Sequence, residues 1–215
     1  MKNVDELIGR LSREALPVNP LGKPIPAGAR LSFVLLAYAV GTQAVLGLRT
    51  DLALQFTRFA FVAEIALLLS LLIAGATACV LSAYPDAYQR PRWLTLPYAA
   101  FAILLGLLAV ELVLPGDHRM VILSPGMSGM ECAFCIAAVA LLPSAWIFML
   151  LRKGASVHPW QAGVFAVLTA SAVGCLTLRL SEANDSLLHV VGWHYLPTVL
   201  FAMLGAWLGK RLLSW

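Results

Sequence analysis

Six stretches of the chain are each long and apolar enough to cross a lipid bilayer, and this feature restricts its fold more than any other. A transmembrane helix needs about 20 predominantly apolar residues. The runs lie at residues 30–48, 58–82, 93–114, 130–151, 159–180 and 193–209. Turn-forming or charged residues separate them. The sequence therefore predicts an all-α, polytopic membrane protein with six transmembrane helices and both termini on the same side.

The overall composition excludes several classes of protein. Of the 215 residues, 60% are hydrophobic and 12% are charged, whereas a soluble domain is nearer half apolar and a quarter charged. This excludes a water-soluble enzyme, a nucleic-acid-binding module and a disordered chain. The tail at residues 1–28 is too short for a catalytic domain. We therefore expect no enzymatic activity and no direct binding to nucleic acid.

The distribution of basic residues predicts the orientation in the membrane. The side that carries the N-terminal tail has Lys2, Arg10, Arg13, Lys23, Arg30, Arg90, Arg92, Arg152, Lys153, Lys210 and Arg211. The opposite side has only Arg49, Arg58, Arg119 and Arg179. Because Lys and Arg accumulate in cytoplasmic loops, both termini are predicted to be cytoplasmic.

The N-terminal tail has a pattern of its own. Residues 1–28 are predicted to form a cytoplasmic segment ahead of a transmembrane domain over residues 29–215. The apolar residues at the spacing of one helix face are Val4, Leu7, Ile8 and Leu11. The residues that predict an extended, Pro-rich linker are Pro17, Pro20, Pro24 and Pro26. Because so short an amphipathic helix is marginal alone in water, we expect it to lie on lipid or in the groove of a soluble protein.

With this orientation, metal-binding and acidic side chains concentrate at the outer ends of the predicted helices. Cys132 and Cys135 are three residues apart on one helix face. Together with a His or a carboxylate they would bind a soft or borderline metal, or form a reversible disulfide outside the membrane. Asp185 and His189 are four apart and would face one point in a helix, whereas His194 is rotated off that face.

Two other functions remain open at this stage. A membrane thiol oxidoreductase working with a quinone would use Cys132 and Cys135, but it needs a resolving thiol, for which Cys175 is the candidate. A small metal transporter would use the cysteines together with Glu64, a carboxylate inside a span that normally has a partner or a task. The cytoplasmic half of the chain lacks a matching polar path.

A series of short motifs runs along nearly the whole chain. The first contains Val4, Asp5, Leu7, Ile8 and Leu11, followed by Pro17 and Val18. The next contain Cys132, Ile136, Pro143, residues 152–155, Pro159 and residues 162–163. The last contain Asp185, Ser186 and Trp193. Together with six spans, this order resembles the bacterial NrsF-like membrane anti-sigma factors, the negative regulators of sigma F.

The resemblance implies a function and a location. Members of this family hold an extracytoplasmic-function sigma factor at the inner membrane and release it under stress, in known cases involving heavy metals. It implies that this chain is a multi-pass protein of the bacterial inner membrane whose cytoplasmic tail binds the sigma factor. The residues expected to contact that partner are Val4, Asp5, Leu7, Ile8, Leu11, Pro17 and Val18. Membrane lipid is a second expected partner, and a homo-oligomer is left open.

The resemblance also matches Cys132 to the family's outer cysteine implicated in sensing. Glu182 stands where many members carry a second cysteine, which leaves Cys135 or Cys175 as partner of Cys132. The candidate residues for metal or redox sensing are Glu64, His118, Glu131, Cys132, Cys135, Cys175, Asp185, His189 and His194. No cofactor is required in this interpretation, and a soft or borderline divalent metal ion is the expected signal.

Overall fold

The computed structural model describes residues 2–14, 23–113 and 129–214, and every regular element in these ranges is helical. The helices are α1 (Lys2–Glu14), α2 (Pro24–Leu46), α3 (Leu52–Gln55), α4 (Phe59–Ser82), α5 (Pro91–Val113), α6 (Met130–Leu151), α7 (Pro159–Ser181) and α8 (Leu187–Leu212). A short 3₁₀ turn at Ala87–Gln89 precedes α5, and α8 contains a π-helical turn at Val190–Tyr195.

Six of these helices, α2 and α4–α8, are long and apolar enough to cross a membrane. This confirms the predicted all-α, six-span fold and a multi-pass membrane protein. The last span begins at Leu187, six residues before the predicted start, because the polar residue His189 lies inside the helix. Hydropathy alone places such residues outside a span, whereas tertiary contacts accommodate them.

The first span also begins earlier than expected, at Pro24. The prediction that Pro24 and Pro26 lie in an extended linker is therefore wrong. Both occupy the first turn of α2, where a backbone N–H has no intrahelical acceptor and the missing donor of proline costs nothing. Pro17 and Pro20, the other two prolines of the predicted linker, lie outside the described residues.

Helix α7 is the centre of the bundle. It packs against α2, α4, α6 and α8. In its apolar stretch of 18 residues, 89% is buried inside the protein, against 22% for the corresponding stretches of α2 and α5. Small residues allow close approach: a Cβ added to Gly163 would lie 2.0 Å from the carbonyl oxygen of Gly205 in α8. Small residues at helix contacts are typical of transmembrane packing.

The antiparallel helices define two ends of the bundle. The Glu182 end comprises residues 47–58 and 182–186, and a hydrogen bond from the Arg49 N–H to the carbonyl of Leu180 joins the first of these segments to the last turn of α7. The Lys153 end comprises residues 83–90 and 152–158, which are joined by a hydrogen bond from Ala155 to Ala83. The distribution of basic residues predicts that the Lys153 end is cytoplasmic.

The predicted N-terminal helix is present as α1. Its apolar stripe is exposed along its whole length, with Leu7 at 49% and Ile8 at 59% of full exposure. An exposed ion pair between Arg10 and Glu14 spans one turn of the same helix. A helix of 13 residues with an exposed apolar face is suited to binding another surface.

Candidate metal centre

Four metal-binding side chains meet at the Glu182 end, and Glu182 lies in the middle of them. Its Oε2 is 3.4 Å from Sγ of Cys132 and 3.1 Å from Nε2 of His194. Its Oε1 is 3.0 Å from Nε2 of His189. One ligand atom from each of the four residues lies within 4.8 Å of all the others. Cys132 comes from the first turn of α6, Glu182 from the segment after α7, and both histidines from the start of α8.

The π-helical turn at Val190–Tyr195 brings the two histidines together. Five residues along an α-helix separate two side chains by about 140°, which is why His194 was expected to face away from His189. A π-turn winds more residues into each turn, so the two imidazoles face the same side. Their ring centroids are 5.5 Å apart. The expectation that His194 is rotated off the face of His189 is therefore wrong.

Both histidines are buried, with His189 at 6% and His194 at 0% of full exposure. Among the described residues, Nδ1 of His194 and both ring nitrogens of His189 have no hydrogen-bond partner. The 3.0 Å approach of His189 Nε2 to Glu182 lacks the alignment of a hydrogen bond. Buried polar atoms are nearly always satisfied. The Nε2 atom of His189, which has no hydrogen bond and lies next to a carboxylate and a thiol, therefore points to an additional bound ligand.

The four ligand atoms fit a divalent metal. Zinc binds cysteine sulfur, histidine nitrogen and carboxylate oxygen in tetrahedral sites with bonds of about 2.0–2.3 Å. Those bond lengths place the ligand atoms roughly 3.3–3.8 Å apart, close to the separations around Glu182. One sulfur among two nitrogens and an oxygen favours borderline ions such as Zn²⁺ over ions that prefer several thiolates. Cys132 and Glu182 remain partly exposed, so that an ion can enter from the surface.

The electrostatics keep Glu182 ionised. Burial raises the pKa of its carboxyl, but the hydrogen bond and charge of His194 and the charge of His189 outweigh burial. The pKa of Glu182 is therefore below its ordinary value. Because metal ligands must be deprotonated to bind, this carboxylate is available at neutral pH without rearrangement.

A second polar cluster, the arginine network, lies beside the metal centre. Arg49 forms paired hydrogen bonds with Asp51 and Asp185 at 2.7–2.9 Å. Arg179 binds Glu64 at 2.9 and 3.0 Å and Asp185 at 3.3 Å. The hydroxyl of Tyr195 donates to Glu64, and Gln55 donates to both Asp51 and Asp185. Each of these carboxylates thus has a cationic partner within the protein.

The arginine network accounts for two of the predicted sensing residues. Glu64 pairs with Arg179, so its place inside a span reflects an ion pair. Asp185 precedes α8, which begins at Leu187, and its side chain turns to Arg49. The expectation that Asp185 and His189 face one point is therefore wrong, because the i, i+4 rule holds only within a helix.

The remaining predicted sensing residues lie outside the four-residue cluster. Cys135 and Glu131 are exposed on α6. Cys175 is buried in α7, where its sulfur is 3.4 Å from Oγ1 of Thr198. His118 lies outside the described residues. Of the nine predicted residues, the structure brings together Cys132, His189 and His194.

Sequence reasoning missed the central residue of the cluster. Glu182 is one acidic residue in a polar connection, and its only signal was that it replaces a cysteine of the resembled family. In the structure its carboxylate lies 3.4 Å from Sγ of Cys132.

Comparison with known proteins identifies a family. The sequence model described as NrsF, negative regulator of sigma F, matches residues 11–215, which is nearly the whole chain. No curated protein and no solved structure matches. The family resemblance predicted from the motifs is thereby confirmed. The matched range begins inside α1, at Leu11, and includes the whole bundle.

Proposed function

The chain belongs to the family of negative regulators of sigma F, and we propose that it holds an extracytoplasmic-function sigma factor at the inner membrane and releases it when a divalent metal binds Cys132, Glu182, His189 and His194. The family is one of regulators, that is, of anti-sigma factors. The sigma-factor class, the metal signal and the orientation of the chain are part of the proposal.

The metal centre is the observation that carries the proposed signal. Its four ligand atoms lie within 4.8 Å of one another, and its two buried imidazoles have unpaired nitrogens. It lies at the Glu182 end, which the positive-inside rule predicts to face away from the cytoplasm. A metal in the periplasm would therefore reach it without crossing the membrane.

The exposed stripe of α1 supports the proposed sigma-factor contact. Leu7, Ile8 and Leu11 are exposed on one helix face, and an amphipathic helix typically binds a groove through residues at this spacing. Pro17 and Val18, also expected at this contact, lie outside the described residues. The tail joins α2 at the Lys153 end, the predicted cytoplasmic side, where a sigma factor is accessible.

The connection between α7 and α8 would transmit the signal. Residues 182–186 carry both Glu182, a proposed metal ligand, and Asp185, which binds Arg49 and Arg179. A metal that repositions Glu182 would displace Asp185 and loosen the arginine network. Changing 99% bound sigma factor to 1% requires about 5.5 kcal/mol. Structural zinc sites reach about 10 kcal/mol or more, which is sufficient.

Co-purification with the sigma factor tests the partner. The full chain and a version lacking residues 1–22, which leaves α2 intact, would each be expressed with a candidate sigma factor and isolated in detergent. We expect the sigma factor with the full chain and not with the truncated one. The full-length variant Ile8→Asp should lose the partner as well, since it places a charge in the apolar stripe. Retention of the sigma factor by both altered chains would contradict the role of α1.

Metal titration of the complex tests the signal. Zn²⁺ should release the sigma factor from the wild-type chain, and Cys132→Ser should keep the sigma factor bound but blunt its release. Cys135→Ser is the matched control, because Cys135 is exposed on the same helix and lies outside the cluster. An unchanged metal response in Cys132→Ser would refute sensing at this centre and leave the sigma-factor contact standing.

A further inference from the structure

A cleft of about 280 Å³ opens at the Lys153 end between α2 and α6. One wall is formed by α2, including Leu31 and Val34, and the other by α6, including Trp146 and Leu150. Cys79 and Val80 near the end of α4, and Ala83 and Tyr84 just after it, also contribute to the lining. The lining is almost entirely apolar, which suits a hydrocarbon chain.

The shape of the cleft follows from how α2 and α6 approach each other. Halfway along the bundle the hydroxyl of Tyr38 in α2 donates to the carbonyl of Val139 in α6 at 3.0 Å. The cleft is lined by residues of both helices on the Lys153 side of that bond. It therefore extends from the Lys153 end toward the point where this hydrogen bond joins the two helices.

Two cationic side chains, Arg30 and Lys153, line the cleft. Both are exposed, and they belong to opposite walls, near the start of α2 and just after the end of α6. The position of Lys153 is set by close packing of its neighbour: a Cβ on Gly154 would lie 2.4 Å from the carbonyl oxygen of Ala83. The hydrogen bond from Ala155 to the same carbonyl, 2.8 Å long, holds this loop on α4.

From this juxtaposition of an apolar cleft and two cations, we propose that the cleft binds one anionic phospholipid. An acyl chain lies between α2 and α6, and the phosphate headgroup lies between Arg30 and Lys153. Basic pockets between transmembrane helices on the cytoplasmic side are suited to anionic headgroups. The charge complementarity distinguishes this occupant from a zwitterionic lipid, which would gain little from the two cations. This site is independent of the metal centre and of the sigma-factor contact.

Native mass spectrometry of the full chain in detergent tests the proposal, with phosphatidylglycerol and phosphatidylcholine as the probes. We expect the first phosphatidylglycerol to bind at least tenfold more tightly than phosphatidylcholine. Arg30→Gln and Lys153→Gln should each weaken phosphatidylglycerol binding about fivefold, because a basic residue near a headgroup contributes about that factor. Arg152→Gln is the control, since Arg152 is exposed beside Lys153 but does not line the cleft.

A second variant tests whether the acyl chain occupies the cleft. Val34→Trp fills it and keeps both cations, so the preference for phosphatidylglycerol over phosphatidylcholine should disappear. Equal binding of the two lipids to the wild-type chain would overturn the proposal. So would unchanged phosphatidylglycerol binding in Val34→Trp, or an Arg152→Gln effect as large as that of Lys153→Gln. Ile8→Asp tests α1 as the occupant: an increase of tenfold or more in lipid binding would show that α1 covers the cleft, against the proposal.

Discussion

Two polar clusters lie side by side at the Glu182 end, and they differ in how their buried groups are satisfied. In the arginine network, Arg49 and Arg179 are matched by Asp51, Glu64 and Asp185. In the metal centre, one carboxylate lies beside a thiol and two imidazoles, and three ring nitrogens lack a hydrogen-bond partner among the described residues. Buried charged groups that pair with one another indicate a structural role. Buried polar atoms that lack a hydrogen-bond partner indicate a ligand site.

The two clusters are also physically connected. Glu182 and Asp185 belong to the same short segment between α7 and α8. On α8, His194 belongs to the metal centre and its neighbour Tyr195 belongs to the arginine network. A change at one cluster therefore affects the other. Variants of each cluster test whether one is structural and the other binds a ligand.

Removing a member of the arginine network should have the largest effect. Arg179→Met leaves the buried carboxylate of Glu64 without its cation, and loss of one partner of a buried pair costs about 3–5 kcal/mol. We expect a large drop in the unfolding temperature in detergent, which light scattering or tryptophan fluorescence would measure. Arg58→Met is the matched control, because the Arg58 side chain is 40% exposed and its ion pair with Asp185 is long, at 3.8 Å, so that the pair contributes at most about 1 kcal/mol. Equal effects of the two variants would contradict a structural role for the network.

Removing the central ligand of the metal centre should affect metal binding more than stability. Glu182→Gln keeps the size of the side chain but removes its charge, so metal affinity should fall by at least about 100-fold, more than the usual loss of an outer-shell partner. Without metal, the cost should stay within about 2 kcal/mol, the value of a hydrogen bond to a charged group. Titration with Co²⁺, followed by its ligand-field and thiolate charge-transfer bands, measures the affinity. Wild-type affinity in Glu182→Gln would exclude the four-residue site.

Acidification should distinguish the two clusters, with a smaller effect than either substitution. The pKa of Asp185 is lowered, because the hydrogen bonds and charges of Arg49 and Arg179 outweigh burial. A carboxyl whose pKa is lowered in the folded state stabilises the fold at pH values above its unfolded-state pKa of about 3.9. That stabilisation is lost only as the pH falls through its folded-state pKa. The network should therefore be unaffected between pH 7 and pH 5.

Metal binding should weaken over this same range. The thiol, the carboxyl and both imidazoles bind a metal only when deprotonated, so that protons compete with the metal, and Co²⁺ affinity should be lower at pH 5.5 than at pH 7. Unfolding temperatures and Co²⁺ titrations at pH 7 and pH 5.5 make the comparison. A parallel loss of stability and of metal affinity would mean that the two clusters titrate as one unit.

Much of the architecture was predictable because it depends on local properties of the chain. A bilayer span is a sum of side-chain hydropathies over about 20 residues, and α1 follows from apolar residues at helical spacing. The predicted starts of α2 and α8 were less accurate. Proline is tolerated in a first helical turn, and buried histidines inside α8 lower its apparent hydropathy.

The candidate site was predictable only in part. Cys132, His189 and His194 have side chains that bind metals, so their residue types drew attention to them. The role of Glu182 and the pairing of Glu64 with Arg179 depend on contacts between residues 50 and 115 positions apart, which a single sequence does not display.

By itself, the sequence determined the six spans, the amphipathic tail and the family, since each follows from residue order and local periodicity. Tertiary structure alone decided which polar side chains pair with one another and which are left for a ligand. The physical reason is that a buried charge takes the partner that packing places within about 3 Å. The π-turn of α8, which rotates His194 toward His189, shows how one local change in winding decides that outcome.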